Sequence, residues 1–445
     1  MGKCFYILRL RSAQVFRHFG KLSAALCSVR VLGTILFPLV FVGVLNAQNR
    51  EYAQATIDVL SSNSFHGRGY VSKGDSLAAE FIKGEYSKIG LSVYPQGYFQ
   101  NFNLDVNTFP GAMDVALDNV DLVPGADFLV KPFSTGTHGT FKLQWFEDLL
   151  KIPAKKIPKF LKEAGEFNFI IINERNYSDE VLMDLFLAAK KTFNAKGVIV
   201  IKEKLTWSVS NFASDLIVLE ILDTKISRKS KKINLNIENT WIENYSTRNV
   251  IAYKDNGNSD SLIVFTAHYD HLGRMGSKTY FPGANDNASG ISLMLDLGKF
   301  YQIDSIKYDV VFIAFAAEEA GLIGSKHFTE NPFFALRKIK FLINMDLMGN
   351  GEQGATVVNG TLHEKEFSLI SSINDYNHLL PVIQKRGKAQ NSDHHFFTEN
   401  DVPAFFIYTL GGNKAYHDIY DVSATLELQK YDEVFKLITG FVNAL

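Results

Sequence analysis

The sequence predicts an α/β fold: a three-layer sandwich around a mostly parallel central sheet, with a smaller β-rich domain inserted ahead of it. Three observations carry this. From Asn249 onward, strand-length apolar runs alternate with helical segments. Several of those runs are apolar throughout, as strands buried on both faces must be. Polar, chemistry-bearing residues gather where the runs end, the edge at which parallel α/β sheets place their sites.

Residues 1–47 read as a leader. Six basic residues (Lys3, Arg9, Arg11, Arg17, Lys21, Arg30) and no acidic one accompany the uncharged apolar run Val31–Leu45, and Ala47 is a small residue suited to a cut after it. The run is short for a membrane span, which takes ~20 residues. Export to a periplasm or the exterior is therefore expected, with no stable span after leader removal. Residues 48–110 are expected to open the main domain, with a helical pattern around Gln54–Leu60, the loop SSNSFHGRGYVSKGDS, and a helix through Leu77–Ile89 capped by Ser76.

Residues 111–245 have a different character. The runs FNFIIIN, GVIVIKE and DLIVLEIL surround a helical stretch, Ser178–Phe193, and a lysine-rich tail (DTKISRKSKKINLNIEN) reads as a solvated edge or hairpin. No metal-ligand cluster falls in this stretch, which is read as an inserted domain. Residues 246–445 form the core. Its strands are NVIAYK, SLIVFTA, DVVFIAFAA, KFLINMDLM and PAFFIYT, separated by helices at Ala288–Phe300, Gly324–Thr329 and Glu364–Tyr376 and followed by Leu426–Leu445.

Composition sets the outer limits. The chain has 445 residues, 46% hydrophobic and 21% charged, a globular balance with room for a buried site. The net charge is −1, and no basic stripe points to a nucleic-acid partner. Both cysteines, Cys4 and Cys27, lie in the leader, so the remainder has neither a disulfide nor a thiol nucleophile.

The strand ends carry the chemistry. SLIVFTA runs into His268-Tyr269-Asp270, DVVFIAFAA into Glu318-Glu319, and KFLIN into Met345-Asp346, while PAFFIYT leads through a Gly-rich loop to Tyr416-His417. Asp286 precedes a helix in PGANDNASG. Each alone has an ordinary explanation: an aspartate before a helix is usually an N-cap, and a histidine after a strand is usually structural. Glu318-Glu319 is harder to dismiss, because adjacent carboxylates closing an apolar strand repel unless a cation or proton neutralises them. Two imidazoles and three carboxylates without a thiolate suit zinc, with manganese or cobalt as other fits. Five ligands exceed one tetrahedral ion and suit two if one carboxylate bridges. Asp286, between the first histidine and the glutamate pair, is the natural bridge.

In this order HYDHLG, GANDNASG, AAEEAGLIGS, NMDLMG, SDHHFF and YHDIYD resemble the motifs of zinc peptidase family twenty-eight, which includes bacterial leucyl aminopeptidases, aminopeptidase Y and glutamate carboxypeptidase. The resemblance covers about 249–425, with FHGRG similar to the family's opening segment. Residues 111–245 resemble the protease-associated insert of many members. The departures are HDIYD, where a proline usually follows the last histidine, and Pro282, where glycine is commoner.

The resemblance implies a zinc-dependent exopeptidase of zinc-peptidase fold, acting on peptides, with two Zn²⁺ per chain. His268 and Asp346 would hold one ion, Glu319 and His417 the other, and Asp286 would bridge. Glu318 would be the general base, and Tyr416 would donate to the oxyanion. Asp270 would orient the His268 ring. Asp393 and His394, from the Ser-Asp-His segment, are placed at the substrate pocket, whereas His271 and His395 are read as structural. Two other readings remain at this point: a single-zinc glutaminyl cyclase, against which His268 argues, and a non-catalytic binding protein, which typically loses ligands that this chain keeps.

Overall fold

The computed structural model describes residues 50–156, 159, 168–257 and 260–445; the leader expected at 1–47 lies outside them. Two eight-stranded sheets organise the chain. Strand β1 (Phe99–Thr108) enters the first sheet, and the chain then builds the second from β2 (Met113–Leu117), β3 (Val120–Leu122), β4 (Phe128–Val130), β5 (Thr137–Trp145), β6 (Asn168–Asn173), β7 (Gly197–Lys202), β8 (Ile217–Leu222) and β9 (Lys232–Ile237). It returns through β10 (Thr240–Lys254), then adds β11 (Leu262–His268), a small ribbon of β12 (Arg274–Met275) and β13 (Thr279–Tyr280), β14 (Asp309–Phe315), β15 (Ile339–Met345), β16 (Gly354–Val358), β17 (Ile383–Lys385) and β18 (Ala404–Leu410).

The first sheet has the order β1-β10-β14-β11-β15-β18-β16-β17. Its four central strands, β14, β11, β15 and β18, are parallel, while β1, β10 and β16 join antiparallel. The sheet is thus mixed but mostly parallel, since the edge pair β16–β17 is parallel as well. The central strands show why their runs are unbroken. Ile263, Phe265, Val310 and Phe312 pack on one face with the helices Gly74–Ile89, Gly290–Ile303 and Tyr431–Ala444. Leu262, Val264, Val311 and Ile313 pack on the other with Phe328 and Phe397 of the short helices Ile323–Glu330 and His394–Glu399. Three layers result, with alternate residues serving opposite faces.

The second sheet leaves and rejoins the first at one paired neck, Thr108 opposite Thr240. Residues 240–245, expected in the insert, therefore belong to a strand of the first sheet. One face of the insert, with Ile170, Val198 and Val218, packs on the helix Asp179–Phe193. The other, with Ile171, Ile199 and Leu219, shares a core with Leu272, Met275 and Phe281 of the main domain.

Two local expectations change. The Leu77–Ile89 helix begins earlier, at Gly74, with Lys73 in a left-handed conformation before it, so Ser76 is not the cap. The lysine-rich tail ends in a central strand rather than an edge: β9 pairs with β2 and β5. Ile233, Leu235 and Ile237 alternate inward there, and the lysine and asparagines between them face outward.

Candidate metal centre

Parallel pairing brings distant segments to one edge. His268 closes β11 opposite Phe315 of β14, and Glu318-Glu319 follow that strand. On the other side Thr266 pairs with Asn344, so Asp346, two residues on, lies level with His268. The loop after β18 leads to His417. The turn that separates Glu318 from Glu319 starts before them, at Ala317 (φ 56°), and closes with Gly321 and Leu322 donating to the Glu318 carbonyl.

Asp286 lies in a π-helical turn, Ala284–Ser289, ahead of the helix Gly290–Ile303. Its carboxylate faces both histidines: Oδ1 is 3.4 Å from His268 Nε2, and Oδ2 is 3.2 Å from His417 Nε2. His268 Nε2 is also 3.4 Å from Asp346 Oδ1, and His417 Nε2 is 3.3 Å from Glu319 Oε2. All five expected ligands are therefore brought together, in two halves that share Asp286. The outer ring nitrogens have carbonyl partners. His268 Nδ1 is 3.1 Å from the Asp270 carbonyl, and His417 Nδ1 is 2.9 Å from the Trp207 carbonyl. Donation there leaves each Nε2 lone pair facing the centre.

Asp270 acts differently from the sequence expectation. Its carboxylate is 3.9 Å from His268 Nδ1, too far for a hydrogen bond, and instead accepts from the backbone N–H groups of Glu318 (3.1 Å) and Glu319 (3.3 Å). It therefore fixes the glutamate turn, while its main-chain carbonyl orients the histidine. Tyr416 is 45% exposed, with its ring stacked on His417 at 4.0 Å. Asp393 and His394 are fully buried rather than on an open wall, and next to them Ser392 links Asn344 to Asp346.

Three contributors were given no role at the centre in the sequence reading. His271, read as structural, lies inside the cluster: its Nδ1 is 2.8 Å from Glu319 Oε1, which leaves Oε2 for the centre. Arg68 of FHGRG is fully buried and donates to five carbonyls, those of Leu60, Tyr269, Pro282, Gly283 and Asp286. Asp421 accepts from the N–H groups of Asn285 and Asp286, which anchors the same turn. Gly283 (φ 60°) is required here, because a Cβ would lie 2.2 Å from the Asp286 carbonyl and 2.6 Å from Arg68 Nη2. The signal for Arg68 was its glycine neighbours: a Cβ on Gly69 would meet the Gly273 backbone at 2.4 Å.

The electrostatics demand positive charge. Burial pushes the Glu318 carboxyl well above the carboxylate range, reinforced by Glu319, Asp393 and Asp346 and opposed by His268. Burial likewise raises Asp346. Burial also acts to raise Asp286, but hydrogen bonds from His268 and His417 outweigh it and hold it well below that range. Burial depresses the His417 imidazole, yet Glu319 and Asp286 carry it up to about 10. The carboxyl groups can coexist only with protons, on themselves or on the imidazoles, or with cations in their place. Asp346 Oδ1 is buried without a hydrogen-bond partner. The ligand atoms of His268, Glu318 and Asp346, and those of His271, Asp286 and Glu319, lie within 4.8 Å of one another in each group. This nitrogen and oxygen donor set fits zinc.

Comparison with known proteins agrees with this geometry. Residues 249–442 match the profile described as Peptidase family M28. The chain is similar to "Aminopeptidase YwaD" of Bacillus subtilis (strain 168), 29% identical over 172 residues, covering 36% of each protein. It is also similar to an "Aminopeptidase" of Pseudomonas aeruginosa, 24% identical over 383 residues, covering 78% of this chain and 66% of that one. The chain thus spans from about a third to about two thirds of the length of these curated relatives. Its fold is shared with a zinc aminopeptidase structure from Bacillus subtilis, at a TM-score of 0.65 and 20% identity over 88% of this chain and 94% of that one. All six motifs lie inside the matched stretch and their ligands converge on one edge of the sheet, so it is residues 249–442 that carry the pattern of Peptidase family M28.

Proposed function

We propose that the chain is an exported two-zinc exopeptidase of the aminopeptidase type, hydrolysing peptide bonds beside a free terminus. The observation that carries this reading is Asp286, whose two oxygens face His268 at 3.4 Å and His417 at 3.2 Å, as a bridging carboxylate requires. The relatives named as aminopeptidases support the same choice of substrate. The basic, then apolar leader supports export. Among the described residues, no helix is long and apolar enough to cross a membrane.

In this reading His268 and Asp346 would hold one zinc and Glu319 and His417 the other, with Asp286 shared between the two sets. When bound, the pair supplies Lewis acidity, activating water and polarising the scissile carbonyl. Glu318 takes the proton of the attacking water and passes it to the leaving amine. Tyr416, exposed at the mouth of the site, donates to the developing oxyanion. Asp270 keeps Glu318 and Glu319 on their separate courses by holding both backbone N–H groups.

The test uses the chain from Gln48 onward with a mixed library of free and N-blocked peptides. Release of N-terminal residues from free peptides, its loss to chelators and its return with zinc are expected. Glu318→Ala should keep its metal and lose turnover by ~10²–10⁴-fold. Near-normal turnover in that variant would sink the role given to Glu318, and cleavage confined to N-blocked peptides would make the enzyme a carboxypeptidase.

A further inference from the structure

A segment of the insert, residues 204–211 between β7 and β8, reaches the metal centre. Trp207 is the residue of this segment that meets His417. Both main-chain polar groups of Trp207 are spent on His417: the carbonyl accepts from Nδ1 at 2.9 Å, and the N–H donates to the His417 carbonyl at 2.8 Å. His417 needs this support, since its backbone is left-handed (φ 54°), a conformation that persists only where the surroundings hold it.

Trp207 is in turn fixed by the insert and by the turn that leads to Asp286. Its Nε1 donates to the Val130 carbonyl of β4 at 2.7 Å, and its ring stacks on Phe281 at 4.7 Å with an interplanar angle of 24°. Phe281 immediately precedes Pro282 and the turn that carries Asp286. Two further contacts extend the same seam. Asn211 Nδ2 lies 3.4 Å from the carbonyl of Ala320, beside Glu319, and Lys204 Nζ donates to the Lys414 carbonyl at 2.7 Å. The segment therefore touches each of the three stretches that supply Asp286, Glu319 and His417.

We propose that the inserted domain is a working part of the metal centre, with Trp207 as the positioning residue that fixes the ring, tautomer and backbone of His417. This rests on reading His417 as a ligand. Its consequence is asymmetric: loosening Trp207 weakens the ion between Glu319 and His417 far more than the ion at His268 and Asp346. The insert then couples to catalysis through zinc retention, whatever else it binds.

Zinc binding to the full chain, followed by competition with a chelating dye, reads this directly. Wild type is expected to hold two ions. Trp207→Ala keeps that carbonyl but removes the indole that anchors it to Val130 and Phe281; one ion should weaken, by up to about 10–100-fold as the imidazole's partner is loosened, and the other should be unchanged. Phe186→Ala, a cavity in the opposite core of the insert, is the control and should leave both constants within about twofold. Should Trp207→Ala fail to fold, replacing Ser208 by its α-hydroxy analogue turns the Trp207 carbonyl into a weaker ester acceptor with no other side-chain change, and one ion should again weaken. Unchanged binding in the folded Trp207 variant or the ester overturns the proposal, as does equal weakening by Phe186→Ala. Fewer than two ions on wild type would instead overturn the two-zinc reading itself.

Discussion

Replacing Arg68 by lysine tests how far the centre depends on a residue that carries none of its chemistry. Arg68 is fully buried, and its five N–H groups meet five carbonyls at 2.7–3.1 Å, one through Nε and two through each Nη. Burial lowers the guanidinium to about 10, while Asp286 and Asp421 favour its charged form, so it remains a cation at neutral pH. A lysine keeps the charge but brings three donors on one atom, so at least two carbonyls lose their partner. At ~1–3 kcal/mol for each buried group left unsatisfied, the loss is ~2–6 kcal/mol. That is a large share of the ~5–15 kcal/mol by which domains are normally stable. Two of the five carbonyls, those of Gly283 and Asp286, belong to the bridging turn, so zinc affinity should fall together with stability. Urea unfolding of metal-free Arg68→Lys against metal-free wild type isolates the first effect. A loss under ~1 kcal/mol at an unchanged m-value would refute the accounting, since a single unsatisfied carbonyl already costs that much.

Two further predictions concern groups that composition does not single out. His271→Phe keeps a ring in the cluster and removes the donor to Glu319 Oε1, so the ion beside Glu319 should be held about 10–100-fold more weakly, as dye competition will show; identical constants would return His271 to a packing role. Asp296 is buried beneath the helix Tyr431–Ala444, with Oδ2 accepting from Tyr431 and Oδ1 without a partner. Burial raises its carboxyl to about 7, against the hydrogen bond from Tyr431 that lowers it. A raised folded value means that its contribution to stability is present below the unfolded value near 3.9 and is lost as pH rises through about 7. Asp296→Asn should therefore gain on wild type between pH 5 and pH 8, by at most ~3 kcal/mol, since about two units of the shift fall in that window. A difference in unfolding free energy that stays flat over that range would refute it.

The first-sheet strands were legible because parallel central strands are buried on both faces, which the near-continuous, strand-length apolar runs within Leu262–His268 and Asp309–Phe315 match. The ligands were legible for a related reason: each follows such a run, and parallel strands end at one edge. The antiparallel flanks were less visible. Strand β16 is short, and β9 hides its alternation inside a lysine-rich stretch that reads as surface. Neither length nor charge shows which neighbour a strand will take.

What the sequence determined by itself is the list of side chains able to hold a cation and the edge at which they meet, because both depend on local pattern and on the direction of parallel strands. What only the tertiary structure decided is who supports them. Asp270 turned from the histidine to the glutamate turn, His271 entered the cluster, and Arg68 and Trp207 arrived from 201 and 210 residues away in the chain to hold Tyr269 and His417. Such support runs largely through main-chain carbonyls and N–H groups. Every residue carries these alike, so their pairing is set by the folded path of the backbone and leaves no mark in residue type.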